Sequence, residues 1–167
     1  YPDWSDLLTW CRFWAAPMGQ MVFRLAGGAP SPAAKSESLA IAVQLLILVE
    51  QAPAHYRWLG RVYLPQRWFR EAGAEQADLG LAQPTPALGD VFNRALDEIG
   101  RLLDAGAELH LHFSSRRLRI AAATLHGEAR AWATCLSRAG PLAGVTRPGP
   151  RARFGAVCSG IWRGFSR

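Results

Sequence analysis

The segment ALGDVFNRALDEIGRLLDAG (87–106) constrains the fold more than any other stretch of this chain. Its apolar side chains fall at Leu88, Val91, Phe92, Ala95, Leu96, Ile99, Leu102 and Leu103. That is the i, i+3, i+4, i+7 stripe of a helix with one buried side, and such a stripe must lie against other elements. Gly106 supplies a stop. The same period returns from Arg116 to about Arg138, with Leu118, Ala121, Ala122, Leu125, Ala129, Trp132 and Leu136. The run LAIAVQLLILV (39–49) is apolar on nearly every side and is interrupted by Gln44. It is about half the length of a membrane span, roughly 20 residues, so it reads as a buried core helix, with Ser36 placed to cap it. Residues 4–26 read as a further helix, interrupted near Pro17 and Gly19 and closed by Gly27-Gly28.

The stretches 27–34, 73–86 and 144–153 are rich in Gly and Pro and read as loops. ELHLHF (108–113) is the best strand candidate, and a lone strand makes no sheet. The expectation is an all-α bundle of about five helices, in a single α-helical domain over 1–167.

Composition narrows the class. Half of the 167 residues are hydrophobic and seven are Trp, which marks a globular chain rather than a disordered one. Cys11, Cys135 and Cys158 are widely spaced with no CxxC pair, so neither a zinc site nor a disulfide framework is expected. Isolated buried thiols in a reducing compartment are the reading, and with it an intracellular protein, cytoplasmic or peripheral on a membrane face. The start, YPDWSDLLTW, has no basic n-region and no initiator Met. It is not expected to be a signal peptide, and a fragment or a processed chain is expected.

Charge is uneven. Residues 1–100 hold eight basic and ten acidic side chains; residues 101–167 hold eleven, all Arg, against three. An Arg-rich half suits an anionic partner: nucleic acid, anionic lipid or an acidic protein face. A plain solvated surface is the competing reading, since Lys35 is the only lysine. No nucleic-acid-reading motif is present, and no nucleic-acid partner is expected. In RARFGAVCSGIWRGFSR (151–167), Phe154, Val157, Ile161, Trp162 and Phe165 can share one helical face with arginines at both ends. Such a helix either lies on a membrane interface or closes the bundle.

The residues that could carry chemistry gather around QLLILVEQAPAHYRWLGRVYLPQ (44–66). Gln51 and His55 are four apart and share a helix face, with Pro53 between them expected to kink the turn. Two carboxylates at that spacing could hold Mg²⁺; an amide and an imidazole offer neither the charge nor the oxygen ligands. A polar, partly exposed face is the bland reading of the pair. Gln44 is expected to be buried and to need a partner; a structural hydrogen bond and a place in a substrate wall stay equally open. In GRVYLP, Gly60 permits an unusual backbone angle, Arg61 offers a fork for phosphate and Tyr63 a hydroxyl beside it. His110 and His112 are expected at the surface, and His126 at a helix interface. No GxSxG, P-loop, HExxH or GxGxxG pattern occurs.

Taken in order, these landmarks resemble the C-terminal half to two-thirds of the squalene/phytoene synthase family, and within it the bacterial hydroxysqualene synthase branch. LLTWCRFWAAPMGQMVFRLAGG (7–28) resembles that family's Tyr-Cys pair, Ser-Ala-Asn-Pro-Val-Gly stretch and apolar helix. AIAVQLLILVEQAPAHYRWLGRVYLPQ (40–66) resembles its second aspartate-rich helix and the Gly-Arg-Ile/Val-Tyr-Leu-Pro loop. NRALDEIGRLLDAG (93–106) is similar to the helix that follows.

The resemblance implies an isoprenoid-synthase-like helical bundle, present here in incomplete form. It also implies isoprenoid biosynthesis by head-to-head joining of farnesyl or geranylgeranyl diphosphates, with Mg²⁺ held by two aspartate-rich motifs. The departures fall at that chemistry. The two aspartates align with Gln51 and His55, the preceding asparagine with Ile47, the tyrosine of the pair with Trp10, and the asparagine of Asn-Pro with Ala16. Pro17, Gly19, Gln44, Gly60, Arg61, Tyr63, Leu64 and Pro65 are retained. Gln44, Arg61 and Tyr63 are the substrate-binding residues so implied; no metal ligand and no cofactor is expected of this chain. Two roles are carried forward. One is a synthase-type chain, inactive alone and completed by a partner with the missing N-terminal half. The other is a scaffold subunit of a larger complex, as for family members with degenerate sites in respiratory-complex assembly.

Overall fold

The structure is a computed structural model; it describes residues 1–27, 33–143 and 147–165, without the side chains of 143, 152, 164 and 165. Among these residues there are six α-helices and three short 3₁₀ turns, and no strand. The helices are α1 (Trp4–Leu25), α2 (Ala33–Leu59), α3 (Gln66–Ala72), α4 (Pro86–Ala105), α5 (Arg116–Ala139) and α6 (Pro150–Phe165). The all-α expectation holds, with six helices for about five. ELHLHF is not a strand: Leu109–His112 form a 3₁₀ turn, because no neighbouring strand exists to pair with it. A second such turn, Gln76–Gly80, lies within the expected loop 73–86. The stretches 27–34 and 144–153 fall partly outside the described residues.

Helix α2 is the axis of the bundle. It packs against α1, α4 and α5, and Leu39, Ile41, Ala42, Leu45, Leu46, Leu48 and Val49 are buried along it. Each large side chain removed from water contributes about 1.5–3 kcal/mol. Their sum outweighs the roughly 3 kcal/mol that Pro53 costs mid-helix, and α2 runs on to Leu59. Ser36 is not a cap. It lies buried inside α2, where α1 comes close.

Helix α1 likewise passes through Pro17 without a break. Gly19 is a contact rather than an interruption: a Cβ there would stand 2.5 Å from Ala40 Cβ and 3.1 Å from the Ser36 carbonyl oxygen. Gly60 (φ 61°) closes α2. Its N–H bonds the Tyr56 carbonyl at 3.0 Å, the single bond of a left-handed helix end, and that of Arg61 bonds the His55 carbonyl at 3.2 Å. The chain then turns toward its own start. Gln66 N–H donates to the Tyr1 carbonyl (2.9 Å) and Arg67 N–H to that of Pro2 (3.1 Å).

Helix α4 begins at Thr85, whose hydroxyl accepts from Leu88 N–H at 3.2 Å and donates to Asp78 Oδ2 at 3.1 Å. It ends at Gly106 as expected. The reason is proximity: a Cβ at Gly106 would meet Leu39 Cβ at 3.2 Å.

Candidate functional site

Two adjoining features hold the residues of interest. The first is a cavity of about 440 Å³ between α1, α2, the Leu109–His112 turn and α5. Its walls include Trp14, Met18 and Val22 from α1, Ala40, Val43 and Gln44 from α2, Phe113, and Leu118, Ala122 and Leu125 from α5. Phe23 and Phe113 meet edge to face at 4.8 Å. Ser36 and Gln44 are the polar side chains in the lining; the others are apolar. The volume lies within the range of roughly 300–1,000 Å³ of small-molecule sites. Leu125 belongs to the apolar stripe of α5 and is still 49% exposed, because that part of the stripe faces the cavity and not a packed neighbour.

The second feature is an aromatic cluster at the far end of α2. Trp10 lies 6.4 Å from Tyr63 and 6.2 Å from Tyr1. Tyr63 meets the His55 ring edge-on at 5.1 Å. Trp10 also stacks on Trp14 at 6.4 Å, and Trp14 lines the cavity. The cluster and the cavity therefore share one aromatic wall. His55 is half-buried and its Nδ1 is buried without a hydrogen-bond partner among the described residues. Burial lowers its pKa from the ordinary histidine value, and the positive field of Arg61 pushes the same way. This imidazole stays neutral near neutrality.

The structure thus brings together His55, Tyr63, Trp10 and Arg61, and sets Gln44 in the cavity wall. Gln44 is half-buried, not buried as expected; the open cavity gives its amide access to water. Gln51 is exposed, Ile47 is half-buried against the core, and Ala16 is fully covered. Positions 40, 44, 47, 51 and 55 follow one side of α2 at helical spacing, so the cavity face runs on toward Gln51 and His55. Sequence reasoning missed the α5 wall. Its signal was there: the paired small residues Ala121 and Ala122 leave room that bulkier ones would fill.

Two further expectations need correction, and one holds. His110 is buried rather than at the surface, and its Nδ1 lies 3.1 Å from the Ala107 carbonyl; the turn after α4 folds the ring inward. Of the thiols expected to be buried, only Cys11 is; Cys135 is half-buried and Cys158 exposed. His126 is the interface histidine expected, with Nε2 2.8 Å from the Leu103 carbonyl.

Mg²⁺ requires oxygen ligands and negative charge. The cavity lining contains no carboxylate. Among the described residues no group of three or more His, Cys, Asp or Glu side chains gathers to hold a metal ion. At the end of α2 the neighbouring side chains are Gln51, His55 and Arg61, and none of the three is an acid. The described residues of the cavity and of the Gln51–His55 end of α2 do not fit the ion.

A family model for squalene/phytoene synthase matches residues 1–153. The chain belongs to that family. Within it the likeness is to hydroxysqualene synthases. The Rhodopseudomonas palustris enzyme of that name is 29% identical over 98% of this chain and 57% of its own length. The Zymomonas mobilis one is 24% identical over 85% of this chain and 48% of its own. The chain thus spans about half the length of the curated relatives it matches. Two solved structures share the fold. A dehydrosqualene synthase in complex with ligand aligns with a TM-score of 0.83 at 16% identity, covering 93% of this chain and 56% of that one. The squalene synthase HpnC from Alicyclobacillus acidocaldarius gives 0.75 at 24% identity, over 84% and 53%.

Proposed function

We propose that this chain supplies the prenyl-binding half of a head-to-head prenyl diphosphate synthase of the hydroxysqualene synthase kind, and does not ionise a diphosphate by itself. The apolar cavity of about 440 Å³ carries this reading. Its walls suit a branched hydrocarbon chain and shield a carbocation from water. Arg61 and Tyr63, beyond the Trp10–Trp14 wall, suit the phosphate end. Neutralising a leaving diphosphate needs a cation held by acids, and those acids must come from residues other than these.

The exposed side of α1 suits docking of a polypeptide bearing them. It presents Phe13 (81% exposed), Met21, Val22 and Leu25 (80%) beside the cavity mouth, more apolar surface than a solvated helix normally shows. The test is Mg²⁺-dependent diphosphate release from farnesyl diphosphate. It is measured for the chain alone and with the part of the Rhodopseudomonas palustris protein that it does not span. Release only in the mixture is expected. Release by the chain alone overturns the dependence. None in either setting favours the second reading, a non-catalytic scaffold subunit, for which the non-acidic Gln51 and His55 are the supporting observation.

A further inference from the structure

We infer that the cavity selects an uncharged isoprenoid alcohol and that Gln44 reads its hydroxyl. This rests on the reading of the cavity as a prenyl site and adds the head group that the site prefers. Of the side chains lining the volume of about 440 Å³, none is charged, and Ser36 and Gln44 are the polar ones. Ser36 is 4% exposed, tucked beside Gly19. Gln44 lies two turns further along the same side of α2, about 12 Å away. It is the last α2 residue of the lining, on the side of His55. Gln44 is half-buried, and its amide makes no hydrogen bond among the described residues.

The amide decides the ligand. It carries two N–H donors and a carbonyl acceptor. Covered by hydrocarbon, both halves lose water with nothing in its place. A hydroxyl donates and accepts, so one group answers both halves. An ether or a carbonyl answers the donors alone, and a plain hydrocarbon answers neither. A diphosphate, carboxylate or ammonium inside the lining would be stripped of water with no countercharge beside it. A charged head therefore belongs outside this volume, toward Arg61. The apolar walls from α1, Phe113 and α5 take the branched tail.

Binding is measured on the chain by displacement of Nile red, and by the assigned side-chain amide signal of Gln44 in nitrogen-15 NMR. The ligands are farnesol, its methyl ether and β-farnesene. Farnesol is expected to bind about tenfold tighter than farnesene, with the ether between them, and to move the Gln44 signal. In Gln44→Leu, which keeps the volume, the three should bind alike; circular dichroism checks that the variant folds, and the NMR readout in the parent does not depend on it. Equal affinity for farnesol and farnesene in the parent overturns the inference and leaves the prenyl reading of the cavity standing. Failure of all three to bind overturns both. A preference for farnesol that survives in Gln44→Leu, or a Gln44 signal that stays put, overturns the role of the amide. Binding that persists in Ala122→Phe, where the cavity is filled, overturns the inference too, because the ligand then sits elsewhere.

Discussion

Gly19 shows how far a single hydrogen atom can set helix spacing. With its hypothetical Cβ 2.5 Å from Ala40 Cβ, Gly19→Leu should cost at least the 1–3 kcal/mol or so typical of overpacking, read as a lower urea midpoint. In the sequence, Gly19 beside Pro17 looks like a helix break; the information that it is a contact resides in Ala40 and Ser36, on another helix.

The thiols make a second residue-scale prediction. Burial pushes Cys11 up to about 12. A disulfide reagent at pH 8 should therefore modify Cys158 first, Cys135 more slowly, and Cys11 only on unfolding.

The histidines make a third. Burial lowers the pKa of His55, His110 and His126; Arg163 lowers the last two further, while backbone contacts to Ala107 and Leu103, and Glu108 beside His110, pull the other way. The unfolded chain takes up these protons below about 6.5 while the folded one resists. Stability should thus be full above that pH and fall as the pH drops through it. His126→Gln should flatten the fall between pH 7 and 5, measured by urea denaturation.

At the scale of elements, helices α4 and α5 were legible because their periodic stripes run long enough to override local noise. Short elements were not. α3 has seven residues and depends on Trp68 stacking on Trp4 at 5.0 Å and on Arg94 lying 4.7 Å above the Trp68 ring. These are contacts between segments distant in sequence, invisible to any local window. Pro17 misled for the same reason: its cost is local, and what offsets it is packing elsewhere. The start of α4 is the converse case, where one side chain acts locally. Thr85→Ala removes an acceptor from Leu88 N–H and a donor to Asp78, and should cost about 1–2 kcal/mol in thermal unfolding.

At the scale of the whole molecule, the class of fold could be read from the stripes, and the family from ordered landmarks such as GRVYLPQ. The cavity could not. It exists because α1, α2 and α5 fail to close on one another, a property of three helices jointly. Nor could the sequence show that His55 and Tyr63 would touch while Gln44 would face a different space. Filling the cavity tests its worth. If the proposed prenyl site is real, a farnesyl analogue should raise the melting temperature, and Ala122→Phe should abolish that rise with little change in the unliganded protein, because the side chain would occupy open volume.

The two amides of Gln66 and Arg67 clasp the first two residues of the chain across more than sixty positions. Everything between them, α1 and α2 included, becomes a closed circuit latched by two protons. Deuterium uptake at those amides reads the latch directly. Trimming Tyr1 and Pro2 should make both exchange as fast as free solvent-facing amides, with GRVYLP loosening alongside.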